Sequence, residues 1–332
     1  MSAPPEAFRR AGAACRWGMM RMLMDGHCDV LMKLYLDPEL DFRSGPGLDV
    51  TLDRLIRADC RLQSFAVYLP MAEPTMAHVA AYARILRELA AAHPELHPVR
   101  TRQDLRRCIE ERRVGAMLTL EGVDALQGNL DHVDELYELG VRSIGVTWNY
   151  ANWAADGVLE PRQAALSLKG RQLVERCNQK GMILDVSHLA EPGFWELCER
   201  TARPPIASHA NSYACCPHPR NLKDDQLKAL FDAGGLIGLA FVPHFLKDGG
   251  NADSDDLLRH IEHIAALGGE RNICFGSDFD GIDAYVKGLE HPGKWPELEE
   301  RLRRYYSDAF VEGLYWRNAA AFYAEQLPDG GE

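Results

Sequence analysis

The chain has 332 residues, of which 46% are hydrophobic and 26% charged, a composition that supports a large buried core and excludes disorder. Its 49 Asp and Glu against 37 Lys and Arg give a net charge of −12, which repels phosphates and argues against a nucleic-acid partner. The nine irregularly spaced cysteines read as reduced thiols of a cytoplasmic protein, and no apolar run approaches the ~18 residues of a membrane span, so no membrane partner is expected.

Residues 1–23 read as an N-terminal extension, either loose or covering one end of the fold, with no apolar core of the kind a signal peptide needs. From residue 24 onward, apolar runs of strand length alternate with stretches of helical spacing. Strands are predicted over 24–30, 62–69, 116–122, 142–148, 182–188, 205–210, 236–241 and 273–278. Helices are predicted over 77–92, 130–139, 168–179, 192–200, 224–233 and 254–267. A final stretch, 302–326, predicts one or two helices whose Tyr, Phe and Trp residues pack on the outside of the fold. No low-complexity linker interrupts the alternation, so residues 24–332 read as one domain with C-terminal helices. A doubly wound open sheet shares this grammar, but eight strand units favour an α/β fold of the closed (β/α)8 TIM-like barrel type.

Barrel enzymes carry their chemistry at the C-terminal ends of the strands, and metal-competent side chains recur there. His27 and Asp29 follow the first apolar run, Glu121 the third, His188 the fifth, His209 the sixth and Asp278 the eighth. The two-residue spacing of His27 and Asp29 sends both to one face of an extended strand. A carboxylate such as Glu121, after an apolar run, is costly to bury without a cation or a hydrogen-bond network. Three His, one Asp and one Glu suit zinc or another borderline divalent ion, with enough donors for two ions sharing the glutamate. Asp278, at the end of the eighth strand, is assigned to catalysis, whereas Asp280, before Gly281, reads as a turn residue. His260 and His263 read as a solvated or partly buried helix face, and Cys215, Cys216 and His218 as packing. Arg220, in the loop after the strand bearing His209, is either a carboxylate clamp or half of a surface salt bridge.

Six short motifs stand in order along the chain. They are Asp-Gly-His-Cys-Asp at 25–29, Leu-Glu-Gly at 120–122, Asp-Val-Ser-His at 185–188, Ser-His-Ala-Asn at 208–211, His-Pro-Arg-Asn-Leu at 218–222 and Gly-Ser-Asp-Phe-Asp-Gly at 276–281. Together they resemble the membrane (renal) dipeptidase family of metallopeptidases, peptidase family M19, whose fold belongs with the amidohydrolase-type barrels. The resemblance runs from Asp25 to about Tyr323. It implies a pair of Zn2+ ions bridged by Glu121, one completed by His27 and Asp29, the other by His188 and His209. It also implies Arg220 as anchor of the substrate's free carboxylate, Asp278 as the proton-handling aspartate and Phe245 as an aromatic beside the substrate.

One departure stands out. Mammalian members carry a His after a Thr beyond the fourth strand, whereas here Thr147 is followed by Trp148. An indole donates one hydrogen bond and takes no charge, so Asn149, Tyr150 or Asn152 would have to supply the missing polarity. Trp148 and Asn149 therefore enter as substrate-binding candidates. The expected activity is hydrolysis of a dipeptide, L-Xaa-D-Xaa included, by a hydroxide bridging the metals. The alternatives are an amidohydrolase-type enzyme acting on N-acyl amino acids, lactones or cyclic amides, and a metal-dependent binding protein without catalysis. The oligomeric state is open, a homodimer among the options.

Overall fold

The computed structural model describes residues 21–330; residues 1–20 of the predicted extension lie outside the described residues. The strands are β1 Leu23–Asp25, β2 Cys60–Tyr68, β3 Leu96–Pro98, β4 Val114–Glu121, β5 Val141–Gly145, β6 Ile183–Asp185, β7 Ile206–Ala210, β8 Leu236–Leu239 and β9 Ile273–Phe275. Every pairing is parallel. The order β2-β1-β9-β8-β7-β6-β5-β4 is closed by a β2–β4 pairing, which makes a (β/α)8 barrel of eight strands. The ninth, β3, borders only the start of β4, where Leu96 pairs with Val114, and β5 takes over that edge from Leu118 onward.

All eight predicted strands are present, but several stop early. Pairing in β1, β6 and β9 ends at Asp25, Asp185 and Phe275, so His27, Asp29, His188 and Asp278 sit on the turns just beyond the strands. His188 and Asp278 have φ of 65° and 68°, the left-handed region that side-chain-bearing residues seldom occupy. Such a turn points a side chain back over the barrel mouth, where an extended backbone would carry it past.

The predicted helices also form, at Met76–Ala92, His132–Leu139, Leu168–Lys180, Glu191–Arg200, Asp224–Asp232 and Ser254–Ile264. Short helices at Val30–Leu36, Leu52–Arg57 and Pro243–Leu246 were not predicted, nor were Arg102–Glu110 and Trp295–Leu302. Thr101 and Asp104 cap Arg102–Glu110 reciprocally, a signal present in the sequence. Of the aromatics in the predicted C-terminal stretch, Tyr315, Trp316, Phe322 and Tyr323 are buried and Tyr305 is exposed; Trp295, just before it, also packs on the barrel wall. Trp295 lies 4.5 Å from Phe275 and 4.8 Å from Phe241, and Tyr315 lies 5.0 Å from Phe275 between ring centroids. Such pairs add about 0.5–1.5 kcal/mol each beyond the area they bury.

One long connection shapes the mouth. Residues 146–167, between β5 and the helix Leu168–Lys180, fold over the C-terminal face. Trp153 Nε1 donates to the Val123 carbonyl at 2.8 Å, and Val158 N donates to the His188 carbonyl at 2.7 Å. Buried Asp156 pairs with Arg162 and accepts from Ala164 N at 2.7 Å, tying the loop to itself.

Candidate metal centre

His27, Asp29, Glu121, His188, His209 and Asp278 converge at the mouth of the barrel. Their ligand atoms fall into three overlapping groups, His27–Asp29–Glu121, Glu121–His188–His209 and His27–His209–Asp278, each within 4.8 Å. Glu121 belongs to two of the groups. His27 Nε2 stands 3.3 Å from Asp29 Oδ2 and 3.5 Å from Glu121 Oε2, with Asp278 Oδ1 at 3.8 Å. Glu121 Oε1 lies 2.8 Å from His188 Nε2 and 3.6 Å from His209 Nε2, and those two nitrogens are 2.8 Å apart.

The outer ring nitrogens identify what this cluster needs. His188 Nδ1 donates to Asn149 Oδ1 at 2.8 Å, and His209 Nδ1 is paired with Ser208 Oγ at 2.9 Å. With its proton on Nδ1, His188 turns the Nε2 lone pair toward His209 Nε2 and a Glu121 oxygen, a convergence of ligand atoms that a bound cation satisfies. His27 Nε2 and Asp29 Oδ1 are buried and hydrogen-bond to nothing among the described residues. The donor set therefore fits divalent metal, oxygen and nitrogen ligands without sulfur.

The electrostatics agree. Burial disfavours charge on His27, but the Glu121 and Asp29 carboxylates outweigh it and hold the imidazole well above its usual range. Burial and then the Arg220 cation push His188 down to about 4. Burial, then His27 and Arg220, hold His209 well below its usual value. Glu121 is kept well below the usual carboxylate range by His27 and His188, against the opposing effect of burial. Burial, with Asp29 and Glu121 as like-charged neighbours, raises Asp278 far above it.

A frame of buried polar contacts fixes these groups. Asp25, at the end of β1, accepts from Ser277 N at 2.8 Å and Ser277 Oγ at 2.6 Å, joining the turn of His27 to that of Asp278. Asp185 accepts from Ser187 N at 2.9 Å and Ser208 N at 3.0 Å, joining the turns of His188 and His209. Sequence reasoning assigned neither aspartate a role, although both stand inside the motifs it singled out. Gly281 packs against the Asp29 and Asp278 carboxylates, where a Cβ would collide with Asp29.

Arg220 is 5% exposed and has no carboxylate partner among the described residues, so it is not half of a surface salt bridge. One nitrogen, Nη2, donates to the His209 carbonyl at 3.1 Å, while Nε is buried without a partner. Burial lowers its pKa to about 10, which leaves it charged at neutral pH. Phe245 lies with its ring centroid 5.4 Å from that guanidinium. Trp148 is exposed beside the centre, 6.1 Å from the His188 ring. Asn149 stands behind His188 as its hydrogen-bond partner.

The lesser candidates stay outside the cluster. Asp280 is the turn residue expected, accepting from Asp49 N and Val50 N at 2.8 Å each and pairing with Lys33 Nζ at 2.9 Å. His260 is fully buried, which corrects the expectation of a solvated or partly buried face, and both of its ring nitrogens are bonded to backbone. His263 pairs with Asp224 at 2.8 Å. The eight cysteines among the described residues are all free, and Cys215 and Cys216 each face a backbone carbonyl.

A closed parallel barrel with metal-competent side chains gathered at its C-terminal mouth defines a metal-dependent hydrolase of the barrel class. Residues 19–325 match the family described as membrane dipeptidase (peptidase family M19), and the chain belongs to that family. It is accordingly a metallopeptidase of dipeptidase type, a hydrolase acting on dipeptides. A solved structure of dipeptidase AC, of the same family, superimposes with a TM-score of 0.86 at 28% identity, covering 93% of this chain and 99% of that one. A metallopeptidase of Rhodobacter sphaeroides, liganded with a phosphinate mimic of L-Ala-D-Ala, gives a TM-score of 0.85 at 26% identity, covering 92% and 99%. Dipeptidase aclJ of Aspergillus oryzae is 34% identical over 194 residues, 57% of this chain and 46% of that protein. Among the described residues no helix is long and apolar enough to cross a membrane.

Proposed function

We propose that the protein is a zinc-dependent dipeptidase that binds two ions, with Glu121 shared between them. His27 and Asp29 would complete one ion's shell, and His188 and His209 the other's. The observation that carries this is the meeting of the His188 and His209 Nε2 atoms and one Glu121 carboxylate oxygen at one point, next to the buried, unpartnered His27 Nε2. When bound, divalent cations make water acidic enough to attack near neutral pH and draw electron density from a carbonyl oxygen.

The chain's own residues supply the rest. Arg220, buried and charged with a free Nε–H, is built to grip a carboxylate, and this role fixes the substrate's C-terminus. Gripping it there limits the length of peptide that can place its amide at the metal ligands. Asp278, 3.8 Å from His27 and held on its left-handed turn, takes a proton from the attacking water and delivers it to the leaving amine. Asn149 keeps the His188 proton on Nδ1, leaving Nε2 free as a ligand. Phe245 covers the Arg220 guanidinium, and Trp148 forms one wall of the substrate site. Tolerance of a D-residue at the second position is supported by the ligand of the Rhodobacter sphaeroides relative. The free cysteines are in keeping with a cytoplasmic enzyme.

The test is a panel of L,L- and L,D-dipeptides and N-acyl amino acids, assayed on protein stripped by chelator and on the same protein after zinc is restored, with bound metal measured in parallel. Turnover of dipeptides that returns with two equivalents of zinc is the expected result. Turnover confined to N-acyl substrates, or no bound metal after resupply, would overturn the reading.

A further inference from the structure

Two cavities flank the metal-competent cluster, and they differ in charge. One, of about 250 Å3, is bounded by Ser187, His188 and Arg220, whose Nε is buried without a partner. The other, of about 240 Å3, is bounded by Glu121, Asp124, Tyr68, Trp148 and Tyr150, and neither Lys nor Arg lines it. A dipeptide is itself a dipole, with a carboxylate at one end and an ammonium at the other. If Arg220 takes the first, the second falls toward the opposite cavity. The ammonium nitrogen is only two bonds from the carbon attacked, so the group that receives it must border the metal ligands, and Glu121 lines that same cavity.

Asp124 has the properties of such a receptor. Its Oδ2 accepts from Asn152 Nδ2 at 3.1 Å, and Asn152 is itself fixed by donating to the Val146 carbonyl at 2.9 Å and accepting from Ala154 N at 2.8 Å. The exposed carboxylate is thus oriented through Oδ2, and no Lys or Arg pairs with it among the described residues. Aromatic rings line the same cavity, Trp148 lying 5.3 Å from Tyr68 and 6.4 Å from Tyr150 between centroids. Aromatic faces attract ammonium groups. The indole of Trp148, where the resemblance leads one to expect a His, adds a ring face and brings no proton-binding group that would repel an ammonium.

We propose that Asp124, held by Asn152 in a cavity also lined by Tyr68, Trp148 and Tyr150, receives the substrate's free ammonium group and so selects peptides with an unblocked amino end. The inference rests on the dipeptidase reading and goes beyond it by naming the residue that separates dipeptides from N-acyl amino acids. An acylated or missing amine forgoes the charge-assisted hydrogen bond to the exposed Asp124 carboxylate, so such a substrate binds more weakly than a dipeptide.

The experiment compares L-alanyl-L-alanine with N-propanoyl-L-alanine, which differs only in lacking the ammonium, on zinc-loaded wild type and Asp124→Asn. The ratio of kcat/KM for the two substrates should fall about fivefold or more in Asp124→Asn, chiefly through a higher KM for the dipeptide. A smaller fall, with wild type still cleaving the dipeptide, overturns this inference and leaves the dipeptidase reading standing. Wild type that cleaves neither compound overturns both. Metal content and melting temperature confirm that the variant is folded, and Asp124→Ser, judged by the same ratio, replaces it if it is not.

Discussion

His27 and His260 are both buried histidines, yet they stand in opposite situations. His260 Nδ1 accepts from Ser212 N at 3.1 Å and its Nε2 donates to the Leu246 carbonyl at 3.1 Å, so both nitrogens are satisfied and the ring ties the loop bearing Arg220 to the helix Pro243–Leu246. His27 Nε2 sits among carboxylates and hydrogen-bonds to none of them. Asp280 and Asp29 repeat the contrast, the first satisfied by two backbone amides and Lys33, the second with a bare Oδ1. A buried polar group whose bonds are complete holds the fold, whereas one left incomplete among other ligand atoms at the barrel mouth is free to take a ligand.

Four substitutions test that division. Glu121→Gln, at the shared corner of the cluster, should have the largest effect. Loss of at least one metal equivalent and of about 10³-fold or more in kcat/KM is expected, by elemental analysis and dipeptide turnover. Asp278→Asn should retain the metal and lower kcat by about 10²–10⁴-fold, a separation that would fail if Asp278 were needed to hold an ion. Arg220→Met should raise KM for dipeptides by about 10–100-fold with a smaller change in kcat.

His260→Leu belongs to the other side of the comparison and should act on stability. It leaves Ser212 N and the Leu246 carbonyl without partners, at a cost of about 1–3 kcal/mol, read as a lower melting temperature with unchanged metal content. Burial lowers the His260 pKa from 6.5 to about 4. The unfolded chain therefore takes up a proton before the folded one does, and stability present above pH 6.5 is lost as pH falls from there toward 4. Denaturant midpoints measured across that window should slope less in His260→Leu than in wild type.

The site was more legible in the sequence than the frame that holds it. His27, Glu121, His209 and Asp278 each follow an apolar run closely, and barrel geometry alone brings such positions to one mouth. Asp25 and Asp185 act through hydrogen bonds to Ser277 and Ser208, contacts that no spacing along the chain encodes. Asp124 follows Glu121 by three residues, yet its cavity is completed by Trp148 and Tyr150 from the next connection, so only the fold makes it a candidate. The strand β3 escaped notice because it is three residues long and ends in Pro98, which cannot donate to a ladder. The predicted strand ends overran for a related reason. Apolar composition continues into turns whose left-handed backbone at His188 and Asp278 has no signature in periodicity.

Those two turns carry an implication for engineering. Glycine adopts the same backbone without the steric penalty of roughly 1 kcal/mol or more that other residues incur, so a glycine at His188 or Asp278 would relax the scaffold while deleting a reactive group. Selection for heat tolerance alone would therefore reward sequences that have abandoned the chemistry, and any thermostabilised version of this enzyme must be screened for turnover at every round.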